Sequence, residues 1–305
     1  MTKREIKHIA CMGEVMAELF VTGQGSAALN VAGDSFNTAV YLTRLLQGQD
    51  VEVSYVTALG QDSFSDRAMA QMAAEGIRSD HVARHPTRNI GLYAIETDDA
   101  GERSFTYWRS ESAARTMFDS PDNVVDFSSF DLVFLSGITM AILPPASRAR
   151  LIAALDQFRA EGGVVVYDSN HRPKLWESVE VAQEMNAQMW TKTDIALPSV
   201  DDEMLIYGET SESDVLSRLR GHGLAHGALK RGPLGPKGLS GQGELHTFEP
   251  ITKVVDTTAA GDSFNAGFLS QIALGQDEPQ ALRIGHSVAS QVVQAKGAIV
   301  PVALP

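Results

Sequence analysis

Short β-branched runs alternate with helical patterns along most of the sequence, and this rhythm leaves few folds open. The strand-like runs are Val51–Thr57, Asp131–Leu135, Val164–Asp168, Asp194–Leu197 and Ala228–Lys230. Between them lie the helix-like stretches Asn37–Leu46, Ser65–Glu75, Ala146–Glu161, Val179–Trp190 and Asp201–Tyr207. Such alternation implies βαβ units and a mainly parallel sheet. Val164-Val165-Val166-Tyr167 is apolar throughout, as befits a strand covered on both faces. One segment breaks the rhythm. Ile90–Thr97 and Arg103–Arg109 read as two strands joined by Asp98-Asp99-Ala100-Gly101-Glu102, a hairpin signal. With part of residues 14–33, this hairpin is expected to form a small β lid over the ligand edge of the sheet.

Charge and cysteine use narrow the function classes. Lys and Arg number 25 against 38 Asp and Glu, a formal net charge of −13. That surface repels phosphate backbones and anionic lipid, so neither a nucleic acid nor a membrane is an expected partner. Cys11 is the only cysteine, which excludes an intrachain disulfide and a Cys-based zinc site and fits a reducing compartment. The apolar stretch after the basic Met1–His8 is broken by Glu14 and Glu18, unlike a signal peptide. The most apolar segment, Leu132–Pro145, is too short and interrupted to span a bilayer. A cytoplasmic protein is expected.

The string Val255-Asp256-Thr257-Thr258-Ala259-Ala260-Gly261-Asp262-Ser263-Phe264 combines small residues, which let a backbone approach a ligand closely, with a helix start. Phe264, Phe268 and Ile272 share one face of that helix. A helix N-terminus suits an anion such as phosphate. Asp262 has two possible duties there: capping the helix, or taking a proton from a substrate hydroxyl. The five residues Gly-Asp-Ser-Phe-Asn occur at 33–37 and again at 261–265. Asp34 and Asn37 of the first copy suit sugar hydroxyls, with an N-cap as the plainer reading. Leu229–Gly238, holding Lys230, Gly232 and Gly235, is a turn-rich segment able to contact a nucleotide. Tyr107 and Arg109 face the same way on a strand, and Arg172 follows a strand end at Asp168-Ser169-Asn170. Either arginine could bind a carboxylate ligand or pair with one of the chain's own acids. His8, His81, His85, His222, His226 and His246 show no metal-ligand spacing.

Asp256-Thr257-Thr258-Ala259-Ala260-Gly261-Asp262 resembles the carboxy-terminal signature of ribokinase-like carbohydrate kinases of the phosphofructokinase-B type. Ala32-Gly33-Asp34 with Asn37 resembles their amino-terminal signature. Further strings are similar to the members that act on 2-keto-3-deoxygluconate: Tyr55-Val56-Thr57-Ala58-Leu59-Gly60, Gly91-Leu92-Tyr93, Gly101-Glu102-Arg103-Ser104-Phe105, Tyr107-Trp108-Arg109 and Leu135-Ser136-Gly137-Ile138.

The resemblance implies a single ribokinase-like α/β domain over residues 1–305, with a mainly parallel central sheet flanked by helices and a small β lid from about 14–33 and 88–112. It implies ATP, Mg²⁺ and transfer of the γ-phosphoryl group to the C6 hydroxyl of 2-dehydro-3-deoxy-D-gluconate. Asp262 matches the catalytic base, and Ala259, Ala260 and Gly261 match the anion hole. Gly33, Asp34 and Asn37 match sugar-binding positions, and Tyr93, Tyr107, Arg109 and Arg172 match those that hold the acid end. Asn170, Arg172, Ser199, Lys230, Gly232, Gly235 and His286 lie where the family contacts nucleotide. Asp256 and Thr258 match a monovalent-cation site, with K⁺ the expected ion. Relatives form dimers or larger assemblies, so a homo-oligomer is expected.

The sequence departs from the pattern in places. Ala32 replaces the first Gly of a Gly-Gly pair, and His171 stands where Tyr is common. Ser199-Val200-Asp201-Asp202 stands in place of Asn-x-x-Glu, and Ala298 takes a position that is acidic in some relatives. The alternatives are a kinase for fructose, 2-ketogluconate or 2-keto-3-deoxygalactonate, and a non-catalytic sensor on the same fold.

Overall fold

The computed structural model describes residues 5–23, 25–97, 103–240, 248, 251 and 253–303. The expected hairpin connector at 98–102 lies outside them. In chain order the elements are β1 (His8–Met12), β2 (Met16–Gly23), β3 (Ser26–Ala32), α1 (Asp34–Leu45), β4 (Glu52–Leu59), α2 (Ser63–Glu75), β5 (Val82–Arg84), β6 (Gly91–Thr97), β7 (Arg103–Trp108), β8 (Leu132–Ser136), α3 (Gly137–Ile142), α4 (Pro145–Ala160), β9 (Val164–Asp168), α5 (Val179–Lys192), β10 (Ile195–Ala196), α6 (Val200–Tyr207), α7 (Glu212–Gly221), β11 (Ala228–Leu229), β12 (Lys237–Gly238), α8 (Ala260–Ala273) and α9 (Glu278–Val292).

Six strands form the main sheet in the order β10-β9-β8-β1-β4-β5, and every pairing is parallel. Both faces are covered. Phe36, Tyr41, Phe264 and Phe268 from α1 and α8 pack on one side, and Leu151, Leu155, Met189 and Trp190 from α4 and α5 on the other. This two-sided burial explains why β8 and β9 are continuous apolar runs. The strand expected at Ala228–Lys230 forms a two-stranded antiparallel ladder, β11 with β12, outside the main sheet. Single bridges, Ala196 with Gly227 and Ser199 with Lys230, join this segment to β10 and the residues after it.

A second sheet has four strands in the order β3-β2-β6-β7. The chain leaves β1 at Met12, turns through Gly13 and Glu14, and enters β2, so this small sheet rises from the carboxyl-terminal edge of the main one. Ligands of open parallel sheets bind beyond that edge. No helix among the described residues is long and apolar enough to cross a membrane.

Candidate active site

The carboxyl ends of β1, β8 and β9 meet the amino ends of α1 and α8, and three aspartates converge there. α1 starts directly after Gly33, whose extended backbone (φ 173°) passes so close to the turn after β1 that an added Cβ would lie 2.3 Å from the Glu14 carbonyl oxygen. Gly33 is the N-cap of α1 and carries no side-chain cap bond. Asp34 therefore does not cap the helix. Its Oδ2 accepts from the Ser136 hydroxyl and from Asn170 Nδ2 at 2.8 Å. Asn170 adopts φ 24°, a left-handed conformation that costs strain in a residue bearing a Cβ.

Asp262 does not cap its helix either. The N-cap of α8 is Ala259, in left-handed geometry (φ 59°, ψ 16°) with no side-chain cap. Asp262 sits three residues further in, and its Oδ2 accepts from Asn37 Nδ2 at 2.8 Å. Thr38 Oγ1 donates to the Asp262 carbonyl at 3.2 Å. The third carboxylate, Asp168, closes β9. It accepts from Lys230 Nζ at 2.5 Å, from Asn265 Nδ2 at 2.6 Å and from the Asn170 amide at 3.1 Å. The two Gly-Asp-Ser-Phe-Asn copies thus interlock: the Asn of the first holds the Asp of the second, while the Asn of the second holds Asp168.

Desolvation in the cleft, then the nearby Asp34 charge, push the Asp262 carboxyl well above the ordinary carboxylate range. Asn37 opposes the shift by donating to the charged form, and Lys230 opposes it by its charge. The α8 terminus beside this carboxylate is electropositive. In the first turn the N–H groups of Gly261 and Asp262 have no intrahelical acceptor, and no side chain caps them. Lys230 Nζ stands 3.6 Å from where a Cβ on Gly261 would be.

On the β10 side, Ser199 caps α6 by accepting from the Asp202 amide at 3.4 Å. Burial, then the Asp168 charge, raise Asp202 to about 6. Arg172 is 54% exposed at its side chain; it donates to the His171 carbonyl at 2.8 Å and lies 3.9 Å from Asp202. Gly232 (φ 54°) and Gly235 (φ 73°) shape the turn between β11 and β12. Phe248 packs on Gly235, and the His286 ring lies 4.7 Å from that of Phe248.

On the small-sheet side, Arg109, 10% exposed at its side chain, pairs with the buried Glu14. Pairing with one of the chain's own acids is one of the two roles the sequence leaves open for this guanidinium. Tyr93 is buried and donates to Glu18, while Tyr107 is 50% exposed and stacks on Tyr93 with centroids 5.7 Å apart. The Asp256 carboxylate accepts from the Thr258 amide and the Gly297 amide, each at 2.9 Å, which ties the approach to α8 to the segment after α9. Among the described residues no cluster of three or more His, Cys, Asp or Glu could hold a metal ion. A cavity of about 1350 Å³ lies at the opposite, amino-terminal edge of the main sheet, lined by Lys7, Arg159, Asp194 and Glu278 among others, and Asp34, Asp168, Lys230 and Asp262 are not part of its lining.

Sequence reasoning passed over Glu14, Glu18, Ser136 and Asn265. A signal existed for the first two: isolated acids inside the otherwise apolar run 9–20, where a carboxylate is buried only with a partner.

The pfkB family carbohydrate kinase model matches residues 6–304. A curated relative from Dickeya dadantii, 2-dehydro-3-deoxygluconokinase, is 45% identical over 305 residues, covering 97% of each chain. A second relative with the same description, from Escherichia coli K12, is 40% identical over 302 residues, again with 97% of each chain covered. Among solved structures, aminoimidazole riboside kinase from Salmonella enterica, complexed with aminoimidazole riboside and an ATP analog, superposes with a TM-score of 0.82. It is 22% identical and the match covers 95% of this chain and 94% of that one.

Proposed function

The chain belongs to the pfkB family of carbohydrate kinases, and from that premise we propose that it transfers the γ-phosphoryl group of ATP to the C6 hydroxyl of 2-dehydro-3-deoxy-D-gluconate. The products are ADP and 2-dehydro-3-deoxy-6-phospho-D-gluconate. The observation that carries the chemistry is the placement of the Asp262 carboxylate, held by Asn37, beside the uncapped start of α8. The likeness to two kinases described for this substrate supports the choice of sugar acid.

Phosphoryl transfer passes through a loose transition state, so the protein contributes mostly position and charge. The C6 oxygen forms a bond to the γ-phosphorus as the bond to the β-γ bridging oxygen breaks. Asp262 orients the hydroxyl and accepts its proton late in that process. The raised proton affinity of its carboxyl makes it a better acceptor than a free aspartate. The N–H groups of Gly261 and Asp262, with the Ala259–Ala260 backbone around them, meet the charge on the transferred group, and Lys230 adds its own.

Asn170, Arg172, Ser199, Gly232, Gly235 and His286 are the proposed nucleotide contacts around this centre. Gly33, Asp34 and Asn37 are the proposed sugar contacts. The expected ion is held mainly by the nucleotide phosphates, with Asp202 or its neighbours reaching it through water. Mg²⁺ bound that way neutralises phosphate charge. Asp256 and Thr258 are the proposed neighbours of K⁺. The small sheet, closing over the sugar, excludes water and limits ATP hydrolysis.

Coupled ADP release over a panel of the sugar acid, its C4 epimer, 2-ketogluconate and fructose tests the assignment. The expected result is a kcat/KM for 2-dehydro-3-deoxy-D-gluconate that exceeds that for fructose by about 100-fold or more. Equal use of fructose would overturn it.

A further inference from the structure

Lys230 is fixed at both ends. Its backbone amide donates to the Pro198 carbonyl at 2.8 Å, and its carbonyl accepts from the Val200 amide at 2.9 Å, so the main chain is pinned beside the segment that opens α6. Its ammonium donates to Asp168 Oδ2 at 2.5 Å and to Asn265 Oδ1 at 3.2 Å. Asn265 Nδ2 in turn donates to the same Asp168 oxygen at 2.6 Å, which closes a triangle of three side chains.

A lysine head group sits on a long, mobile stem, and holding it in one place costs side-chain entropy. Here a buried acid and a buried amide do so: Asp168 is 2% exposed, and Asn265 is fully buried. Asp168 Oδ1 also accepts from the Asn170 amide, so its two oxygens serve three donors and little of the carboxylate is left for a ligand.

What the ammonium faces is set by α8. Asn265 lies one turn after Gly261 on that helix, and a Cβ added to Gly261 would lie 3.6 Å from Lys230 Nζ. Among the described residues, no other atom beyond the chain neighbours of Gly261 and its own helix backbone comes within 4 Å of that point, so there is open space beside the ammonium. An ammonium carries three protons, and Asp168 and Asn265 take two of them. The third is left for a group at the start of α8, where the Gly261 and Asp262 N–H groups also lack an intrahelical acceptor.

We propose that Asp168 and Asn265 are positioning residues that aim the Lys230 ammonium at the phosphoryl group during its transfer. The inference rests on the α8 start being the transfer site, and it goes beyond nucleotide contact: Lys230 acts on rate more than on ATP affinity. A donor already in place stabilises charge on the transferred group without reorganising as that charge shifts. No bond to Lys230 forms and no proton leaves it. Asp168 takes no proton from the acceptor hydroxyl and works through Lys230 alone.

Initial rates of Lys230→Met, Asp168→Asn, Asn265→Ala and the two doubles with Lys230→Met test this, using whichever sugar the wild type phosphorylates. Lys230→Met should lower kcat about 100-fold, with KM for ATP and for the sugar changed by less than about threefold. Asp168→Asn and Asn265→Ala should each lower kcat about tenfold, and in the Lys230→Met background neither should cost more than about twofold further. A structural role alone would lower Tm and leave the losses additive. If Asp168→Asn does not fold, the cycle with Asn265→Ala gives the same reading. Losses in kcat that add in full overturn the positioning role. A Lys230→Met variant whose KM for ATP rises about tenfold at unchanged kcat makes Lys230 a nucleotide contact only, and overturns the inference as well. Both results leave the kinase reading standing. A wild type that phosphorylates no sugar overturns that reading, and this inference with it.

Discussion

Asn37 Nδ2 lies 2.8 Å from Asp262 Oδ2, a bond between side chains 225 residues apart in the sequence. It joins the first turns of the two helices that face the cleft and favours the charged, accepting form of the carboxylate against the larger effect of desolvation. Removing the donor should raise the proton affinity of Asp262 further. In Asn37→Ala the acid limb of the kcat/KM profile should move to higher pH than in wild type. A pH series of initial rates checks this, and an unmoved limb would separate Asn37 from the titration of Asp262.

Asp262 also carries a cost to stability. Its folded-state pKa is raised above the unfolded value of about 3.9, first by desolvation and then by Asp34. Folding is therefore favoured by this group below about pH 4, and that advantage is lost progressively as pH rises toward the folded value. An asparagine has no charge to bury. The Tm of Asp262→Asn should exceed that of wild type by an amount that grows between pH 4 and pH 8. Thermal melts across that range measure it, and a gap that shrinks with rising pH would contradict the buried charge.

Arg109 and the buried Glu14 form a largely enclosed pair at the root of the small sheet. Removal of one partner leaves an uncompensated charge, which typically costs about 3–5 kcal/mol. Arg109→Ala should lose about that much stability in urea unfolding, besides any effect on the sugar KM. The double variant Glu14→Gln with Arg109→Ala should recover most of it. Full additivity of the two losses would show that the groups do not act as a pair.

Parts of this architecture were legible in the sequence, for physical reasons that differ by element. β9 was readable to the residue because burial on both faces leaves Val164–Tyr167 uniformly apolar before the polar Asp168. β1, although central in the sheet, passed unnoticed. Its residues His-Ile-Ala-Cys-Met include one β-branched side chain, and Glu14 and Glu18 follow at once. α7 and α9 were missed as well. α7 is largely polar, and α9 carries Gly285, which packs against α8 at Gly267, within its apolar face. The two Gly-Asp-Ser-Phe-Asn strings were correctly read as turns that feed helices. What each Asp does was not legible, because the N-caps fall on Gly33 and Ala259 and free both carboxylates for partners from distant segments. Periodicity within one helix does not report how it docks on another. For the same reason Glu14 looked like a break in an apolar run and not like the partner of Arg109.

The most direct test of the account is the turnover of Asp262→Asn with saturating ATP and 2-dehydro-3-deoxy-D-gluconate, alongside proof that the variant is folded. The account predicts a wild-type far-ultraviolet spectrum, a Tm no lower than wild type at pH 8, and a kcat reduced by about 10² to 10⁴. A folded variant with kcat within a few-fold of wild type would contradict it.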